Sequence, residues 1–136
     1  MEKTFKVNII TPDSPTITAE IKSLHTKSPD GEVEFRANHT PIIISAAPAV
    51  TKIMKVDGSV EILFTSSGII ILEDNVINFC CDSAQRPEDI DVNRAMQSKE
   101  RAEARLNKDS DIDGARARLA LARAMARIET TNIYKS

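Results

Sequence analysis

Apolar and polar residues alternate along most of the first 83 residues. Phe5, Val7 and Ile9 would share one face of an extended chain, and the same period of two recurs in later β-branched runs. Turn residues separate the runs, including the Pro, Asp and Gly within residues 28–31. The pattern predicts strands at residues 4–9, 17–21, 21–26, 42–44, 50–56, 60–64, 68–72 and 76–80. Eight or so short strands without intervening helices predict an antiparallel β-sandwich or barrel.

The chain changes character after Pro87, and alanine becomes its commonest residue. A helix is predicted over residues 92–106, with Asp91 as its N-cap because a carboxylate can accept hydrogen bonds from first-turn amides. Polar residues 107–111 interrupt the pattern, and a second helix is predicted from residue 112 or 113 to 129. The second helix should bury a seam of residues spaced three and four apart, namely Ile112, Ala115, Leu119, Ala122 and Ala126. So short a connection predicts an antiparallel hairpin, and the small alanine side chains predict that it is weakly held.

We therefore predict two units, a β-sandwich over residues 1–86 and an α-helical hairpin over residues 87–136. The first carries 8 basic and 11 acidic side chains and the second 10 and 9, so the basic charge is concentrated in the hairpin. Seven of the nine arginines lie there. Because arginine makes bidentate contacts to phosphate and carboxylate, this enrichment indicates an acidic partner surface or a nucleotide, unless the arginines simply form a solvated helix face.

Length and composition exclude several classes of protein. A chain of 136 residues with 41% hydrophobic residues suits one or two small packed units, and a net charge of −2 argues against a nucleic-acid partner. The sequence has no apolar run of the roughly 18 to 20 residues that would span a bilayer, and no secretory type of stretch among its first thirteen residues. Adjacent Cys80 and Cys81 would point to opposite faces of a strand, so we expect no disulfide and a cytosolic site of synthesis.

The sequence offers no strong catalytic or metal motif. Residues 109–114 match the opening of a calcium-binding loop, but Ala120 stands where that loop needs its bidentate glutamate, so an acidic turn before the second helix is the simpler interpretation. His25, His39 and the two cysteines lack the spacing of a structural zinc site. The sequence also has no glycine-rich phosphate loop, which argues against classical nucleotide hydrolysis. From the motifs together we expect neither a metal site nor catalysis.

Four short segments carry a family resemblance. They are VNIITPD at residues 7–13, Gly31-Glu32 followed by NHTP at 38–41, SSG at 66–68, and IDVNRA at 90–95. In this order, and with a strand-rich part followed by an Ala/Arg-rich hairpin, the entire chain resembles the epsilon subunits of bacterial F-type ATP synthases.

The resemblance implies a ten-stranded sandwich and a non-catalytic subunit. In that family the sandwich packs beside the gamma subunit in the central stalk, rests with one end on the c-ring, and couples ion-driven rotation to ATP synthesis. The implied c-ring-facing residues are Asn38 and His39. The implied location is the cytoplasmic side of the cell membrane, as a peripheral protein that is attached only through the complex.

The resemblance also implies a regulatory hairpin. Folded on the sandwich it permits ATP hydrolysis, whereas extended it enters the catalytic alpha/beta hexamer and blocks reverse rotation. Some members bind ATP, as a regulatory ligand and not as a cofactor, through a motif that matches here; the implied nucleotide residues are Ile90, Asp91, Arg94, Ala95, Arg101, Arg123 and Arg127. This chain departs from such members at Gln85, where an acidic residue can stand.

Two other functions remain open at the level of sequence. A free-standing sandwich could use the hairpin to sense a nucleotide and would then have no large partner. A coiled-coil adaptor could grip clients with the hairpin tip, although residues 107–111 lack the apolar side chains that such a tip needs.

Overall fold

A computed structural model of the chain describes residues 3–107 and 114–135. Nine strands come first: β1 Phe5–Ile10, β2 Ile17–Ser28, β3 Gly31–Arg36, β4 Ile42–Ala46, β5 Ala49–Lys55, β6 Val60–Thr65, β7 Gly68–Glu73, β8 Val76–Cys81 and β9 Ala84–Gln85. A 3₁₀ turn at Pro87–Asp89 leads into α1 Val92–Leu106, and α2 spans Gly114–Lys135. The predicted β-sandwich followed by two packed helices is confirmed, with nine described strands where the resemblance implied ten.

One sheet in the order β4-β7-β8-β1-β2-β5-β6-β9, with β3 also paired to β2, folds over to make both layers. The long strand β2 belongs to both, since its first half pairs with β1 and its second half with β3 and β5. All described pairs are antiparallel except β1 with β8, which is parallel.

The pattern predicted two strands, 17–21 and 21–26, where the structure has the single strand β2. A register shift between Ile21 and Ser23 explains the error. The extra residue changes the phase of the alternation, so Ile21 and Leu24 both point inward although they are three residues apart. The strands β3 and β9 were not predicted at all.

The interior of the sandwich is built from the inward residues of both layers. Its fully buried members include Phe5 and Val7 on β1, Leu24 on β2, Leu63 on β6 and Phe79 on β8. These residues form one cluster that contains no helix residue. The sandwich therefore has a core of its own.

A row of three threonines runs through this interior. The hydroxyl oxygens of Thr26 and Thr51 lie 2.8 Å apart, and those of Thr51 and Thr65 lie 2.6 Å apart. All three side chains are fully buried. Thr51 thus satisfies the hydrogen-bonding groups of both neighbours, which buried polar groups require.

Replacing Thr51 by valine should lower the free energy of unfolding by about 1–3 kcal/mol, because the isosteric side chain leaves two buried hydroxyls without this partner. Urea unfolding measures the loss. Thr18→Val is the matched control, since Thr18 is exposed and hydrogen-bonds to Asn8 on the outer surface. Equal losses for the two variants would contradict the structural role of the threonine row.

Helix α1 has the predicted bounds and the predicted cap. The Asp91 carboxylate accepts a hydrogen bond from the Arg94 backbone amide at 3.1 Å. Helix α2 runs six residues beyond its predicted end, to Lys135. Thr130 and Thr131 are buried there and donate hydroxyl hydrogen bonds to the carbonyls of Ala126 and Arg127, so packing overrides the weak helix propensity of threonine. Neither described helix is long and apolar enough to cross a membrane.

The predicted seam of α2 is largely wrong. Ala115 and Leu119 are exposed, Ala122 is half-buried, and only Ala126 is buried as expected, while Ile112 and most of the calcium-like segment, residues 109–113, lie outside the described residues. Ala117 and Ala124 are buried instead, seven residues apart, matching the spacing of buried Ala95 and Ala102 on α1. Helix α2 packs on both α1 and the sheet, so it buries two stripes of residues. The predicted seam treated these two stripes as a single one.

Candidate functional site

A cleft opens where the start of α1, the middle of α2 and the last strand of the sandwich meet. Its volume is about 360 Å³. The lining residues are Gln85, Asp89, Asp91, Arg94, Ala95, Ser98 and Arg127. Since residues from the start of α1 and from the second half of α2 line one cleft, the two helices run antiparallel, as predicted.

Arg127 is half-buried and lines this cleft. Its Nε donates to Gln85 Oε1 at 2.8 Å, and its guanidinium carbon lies 4.4 Å from the centroid of the Phe64 ring. Burial lowers the pKa of Arg127, and the positive charges of Arg123 and Arg94 lower it further. Within residues 3–107 and 114–135, no acidic side chain forms an ion pair with Arg94 or Arg127. The cleft therefore holds two arginines whose charges an added anion would stabilise.

Polar acceptors line the rest of the cleft. One carboxylate oxygen of Asp91 caps α1 by accepting from the Arg94 backbone amide. Asp89 is exposed and Ser98 is half-buried. Guanidinium groups bind phosphate oxygens, whereas carboxylates and hydroxyls suit sugar hydroxyls or amino groups. The arrangement can accommodate a ligand with an anionic and a polar end.

The structure brings together four of the seven residues implied for nucleotide binding, namely Asp91, Arg94, Ala95 and Arg127. The other three lie outside the cleft. Ile90 is 8% exposed and packs with Phe64 and Ala126. Arg101 is exposed on α1 and donates to Ser98 Oγ at 3.1 Å, one residue away from the cleft.

Arg123 is the third residue outside the cleft, and it ties α2 to the sandwich. Its Nε donates to the buried Ser66 Oγ at 3.2 Å, and its guanidinium lies 3.7 Å from the Asp82 carboxylate. Arg123 and Arg127 are one helical turn apart, yet they anchor α2 at different points of the sandwich.

Sequence reasoning missed Phe64, Asp89 and Ser98 as parts of this region. A signal existed for Phe64, since Ile62, Leu63 and Phe64 form an uninterrupted apolar run that breaks the alternation of β6, and the structure buries Phe64 together with both of its neighbours. Three consecutive buried residues mean that the two faces of the strand are both covered. For Asp89 and Ser98 no such signal exists, because polar residues beside a helix are common.

The implied c-ring-facing residues lie beside the turn between β7 and β8, where Asn38 N donates to Asn75 Oδ1. Asn38 and His39 are exposed in the connection between β3 and β4. Asn38 adopts a φ of 63°, and the His39 ring meets the Phe35 ring edge-on with centroids 5.9 Å apart. Neither residue lines the cleft, so this connection is a separate region of the surface.

Comparisons with known proteins agree along the chain. The model of the ATP synthase delta/epsilon chain β-sandwich domain matches residues 4–87, and that of the delta/epsilon chain long α-helix domain matches residues 88–132. Among relatives, the ATP synthase epsilon chain of Clostridium novyi (strain NT) is 38% identical over 129 residues, covering 95% of this chain and 98% of the relative. That of Clostridium perfringens (strain 13 / Type A) is 43% identical over 107 residues, covering 79% and 80%.

Solved structures give the same fold at low identity. A chain of the Euglena gracilis mitochondrial ATP synthase, in a structure of OSCP, F1 and c-ring, superposes with a TM-score of 0.78 at 17% identity, covering 96% of this chain and 80% of that one. A chain of the Tetrahymena thermophila mitochondrial ATP synthase central stalk and c-ring gives 0.59 at 14% identity, covering 96% and 99%. With both domain models and the bacterial relatives in agreement, the chain belongs to the delta/epsilon chain family of ATP synthases.

Proposed function

We propose that this chain is a non-catalytic subunit of the ATP synthase central stalk, which couples c-ring rotation to ATP synthesis and restrains ATP hydrolysis through a movable hairpin. The observation that carries the proposal is that the main buried cluster of the sandwich contains no helix residue. The sandwich has a closed core, whereas a small second cluster of Phe64, Ile90 and Ala126 joins it to the hairpin. A rotor part needs a stable core of its own, and a movable hairpin needs a small contact area with that part.

A partly apolar outer sheet face suits the gamma subunit as a partner. Ile43 is 72% exposed and pairs with Ile71 across β4 and β7. Ile69, which is 50% exposed, lies opposite Cys80, and Cys80 lies opposite Ile10. Exposed apolar residues on adjacent strands are typical of a protein interface. We propose that gamma covers this face.

The exposed connection with Asn38 and His39 lies at one end of the sandwich and is the proposed contact with the c-ring. Membrane attachment then comes from the complex, at the cytoplasmic side of the cell membrane. Nucleic acid has no role in this proposal.

The hairpin's own packing supports a two-state switch. Its α1–α2 interface buries alanines, which contribute little apolar area each. A difference of a few kcal/mol in partner binding is enough to reverse such an equilibrium. When extended, the arginine-rich helices would meet acidic side chains of the catalytic alpha/beta hexamer and block rotation in the hydrolysis direction.

A chain that ends at Arg86, assembled with the remaining subunits, tests the regulatory role. We expect ATP hydrolysis to rise several-fold because the inhibitory helices are gone, and ion pumping to persist because the sandwich core is intact. Both are measured on the reconstituted enzyme in vesicles. Unchanged hydrolysis would refute the inhibitory role, and lost assembly would refute the independence of the sandwich.

The cleft supports a second element of the proposal, ATP as a regulatory ligand. Arg94 and Arg127 would bind its phosphates, and Asp91 and Ala95 would complete the lining. No cofactor is required. A ligand that bridges α1, α2 and Gln85 would stabilise the hairpin in its docked position.

The cleft equally favours one alternative, a free-standing sandwich that senses a nucleotide without a rotary complex. The two functions differ in their partners. Co-purification of this chain with a gamma subunit would exclude the free-standing module, while a strictly monomeric chain that binds ATP would support it.

A further inference from the structure

Three segments of the chain converge on one side chain, away from the residues that line the cleft. They are the start of β1, the turn between β7 and β8, and the connection between β3 and β4. The side chain is Asn75, which lies in the β7–β8 turn and is partly buried.

Asn75 uses both ends of its amide group. Its Oδ1 accepts from the Asn38 backbone amide at 2.7 Å, and its Nδ2 donates to the Thr4 carbonyl at 2.9 Å. Its backbone carbonyl accepts from the Lys6 amide at 3.2 Å. One residue thus joins the exposed 38–41 connection to the first strand of the sandwich.

The backbone in this region is held in an uncommon conformation. Asn38 and Asn75 both have a φ of 63°, and Asp74 has a φ of 51°. Non-glycine residues adopt this left-handed region rarely, and asparagine and aspartate tolerate it best. Asn38 can keep this conformation because its amide has a fixed acceptor in Asn75.

The rest of the connection is anchored on its other side. His39 Nδ1 lies 2.6 Å from the Thr40 carbonyl, and its ring contacts Phe35, which is buried. Asn38, His39 and Thr40 are themselves exposed. The connection is therefore exposed but held by contacts at Asn38 and His39, and a preordered segment loses less conformational entropy when it binds.

We propose that Asn75 is a positioning residue that fixes the shape of the 38–41 connection for its docking partner. The inference rests on the proposed c-ring contact of Asn38 and His39. Asn75 acts through the Asn38 amide hydrogen bond and does not itself need to touch the partner.

Three full-length variants separate the hydrogen bond from the backbone. Asn75→Gly removes the side-chain amide and keeps the positive φ, which glycine adopts freely. Asp74→Gly also places a glycine at a position of positive φ, but it keeps the Asn75 side-chain amide. Asn75→Asp keeps an oxygen that accepts from Asn38 and loses the donor to Thr4.

The first measurement is hydrogen exchange of the Asn38 amide in the isolated chain, and it does not depend on any partner. We expect exchange to be faster by ~10-fold or more in Asn75→Gly and unchanged in Asp74→Gly and Asn75→Asp. Equal exchange in Asn75→Gly and the unaltered chain would overturn the proposal. Melting curves verify that all three variants fold.

The second measurement is the number of ions pumped per ATP hydrolysed by the assembled complex in vesicles. We expect Asn75→Gly to lower this ratio as far as the double variant Asn38→Gly/His39→Ala does, and Asn75→Asp to restore it. A normal ratio in Asn75→Gly, an equally low ratio in Asp74→Gly, or a failure of Asn75→Asp to restore it would each overturn the positioning role.

The two measurements distinguish failure of this inference from failure of the proposed function. If the double variant pumps normally, the c-ring contact itself is refuted, and the exchange of the Asn38 amide alone decides whether Asn75 fixes the connection. If the double variant is uncoupled while Asn75→Gly is not, the contact stands and the positioning role falls.

Discussion

Replacing Phe64 by alanine should release α2 from the sandwich. Phe64 is fully buried, it forms the second cluster with Ile90 and Ala126, and the Arg127 guanidinium stacks on its ring. Removing a buried phenylalanine costs about 3–5 kcal/mol. Because this side chain points away from the sandwich interior, most of that loss should fall on hairpin docking.

Hydrogen exchange of the α2 amides is the direct measurement of this release. We expect protection along α2 to decrease while the amides of β1 and β8 keep theirs. In the assembled enzyme the same variant should lower ATP hydrolysis, since more hairpins would occupy the proposed inhibitory position.

Phe79→Ala is the matched control for this prediction. Phe79 is just as buried, but it belongs to the interior of the sandwich. Its loss should lower the melting temperature of the sandwich without a selective effect on α2. Unchanged protection of α2 in Phe64→Ala would show that the arginine contacts alone hold the hairpin.

The strands that the sequence predicted contain either an alternation of apolar and polar residues or an uninterrupted run of β-branched residues, as at residues 42–44. The strand β3 alternates too, but only Val33 and Phe35 are apolar among its six residues, so its apolar signal is short. The strand β9 has only two residues and exists because Ala84 and Gln85 pair with the end of β6. Neither could be separated from a polar loop by local pattern.

The family resemblance implied seven residues for the candidate site, and tertiary packing places only four of them in the cleft. Asp91, Arg94 and Ala95 are close in sequence, so any helix start would bring them together. Arg127 reaches the same cleft only because α2 packs antiparallel to α1 and crosses β6 at Phe64. The same spacing of four predicts that Arg123 joins Arg127, but the local surface of the sandwich gives Arg123 its own partners, Ser66 and Asp82.

Isothermal titration with ATP should detect binding that depends on Arg94 and Arg127. Each guanidinium would make charge-assisted hydrogen bonds to phosphate, worth about 1.5–3 kcal/mol, so each alanine variant should weaken binding by roughly 10- to 150-fold. Arg94→Ala is the cleaner of the two, because Arg94 is exposed and its removal leaves the α2 docking contacts intact.

Arg123→Ala and Arg101→Ala distinguish the cleft from the wider set of arginines that the family resemblance implies. Both arginines are outside the cleft, so both variants should bind ATP within a few-fold of the unaltered chain. Arg123→Ala also tests whether ATP binding depends on the docking of α2 on the sandwich. The variant removes the contacts of α2 with Ser66 and Asp82 but keeps both arginines of the cleft. An effect of Arg123→Ala as large as that of Arg94→Ala would mean that hairpin position, rather than direct phosphate contact, controls the affinity. A flat titration of the unaltered chain would remove the nucleotide from the mechanism and leave the two cleft arginines as docking residues alone.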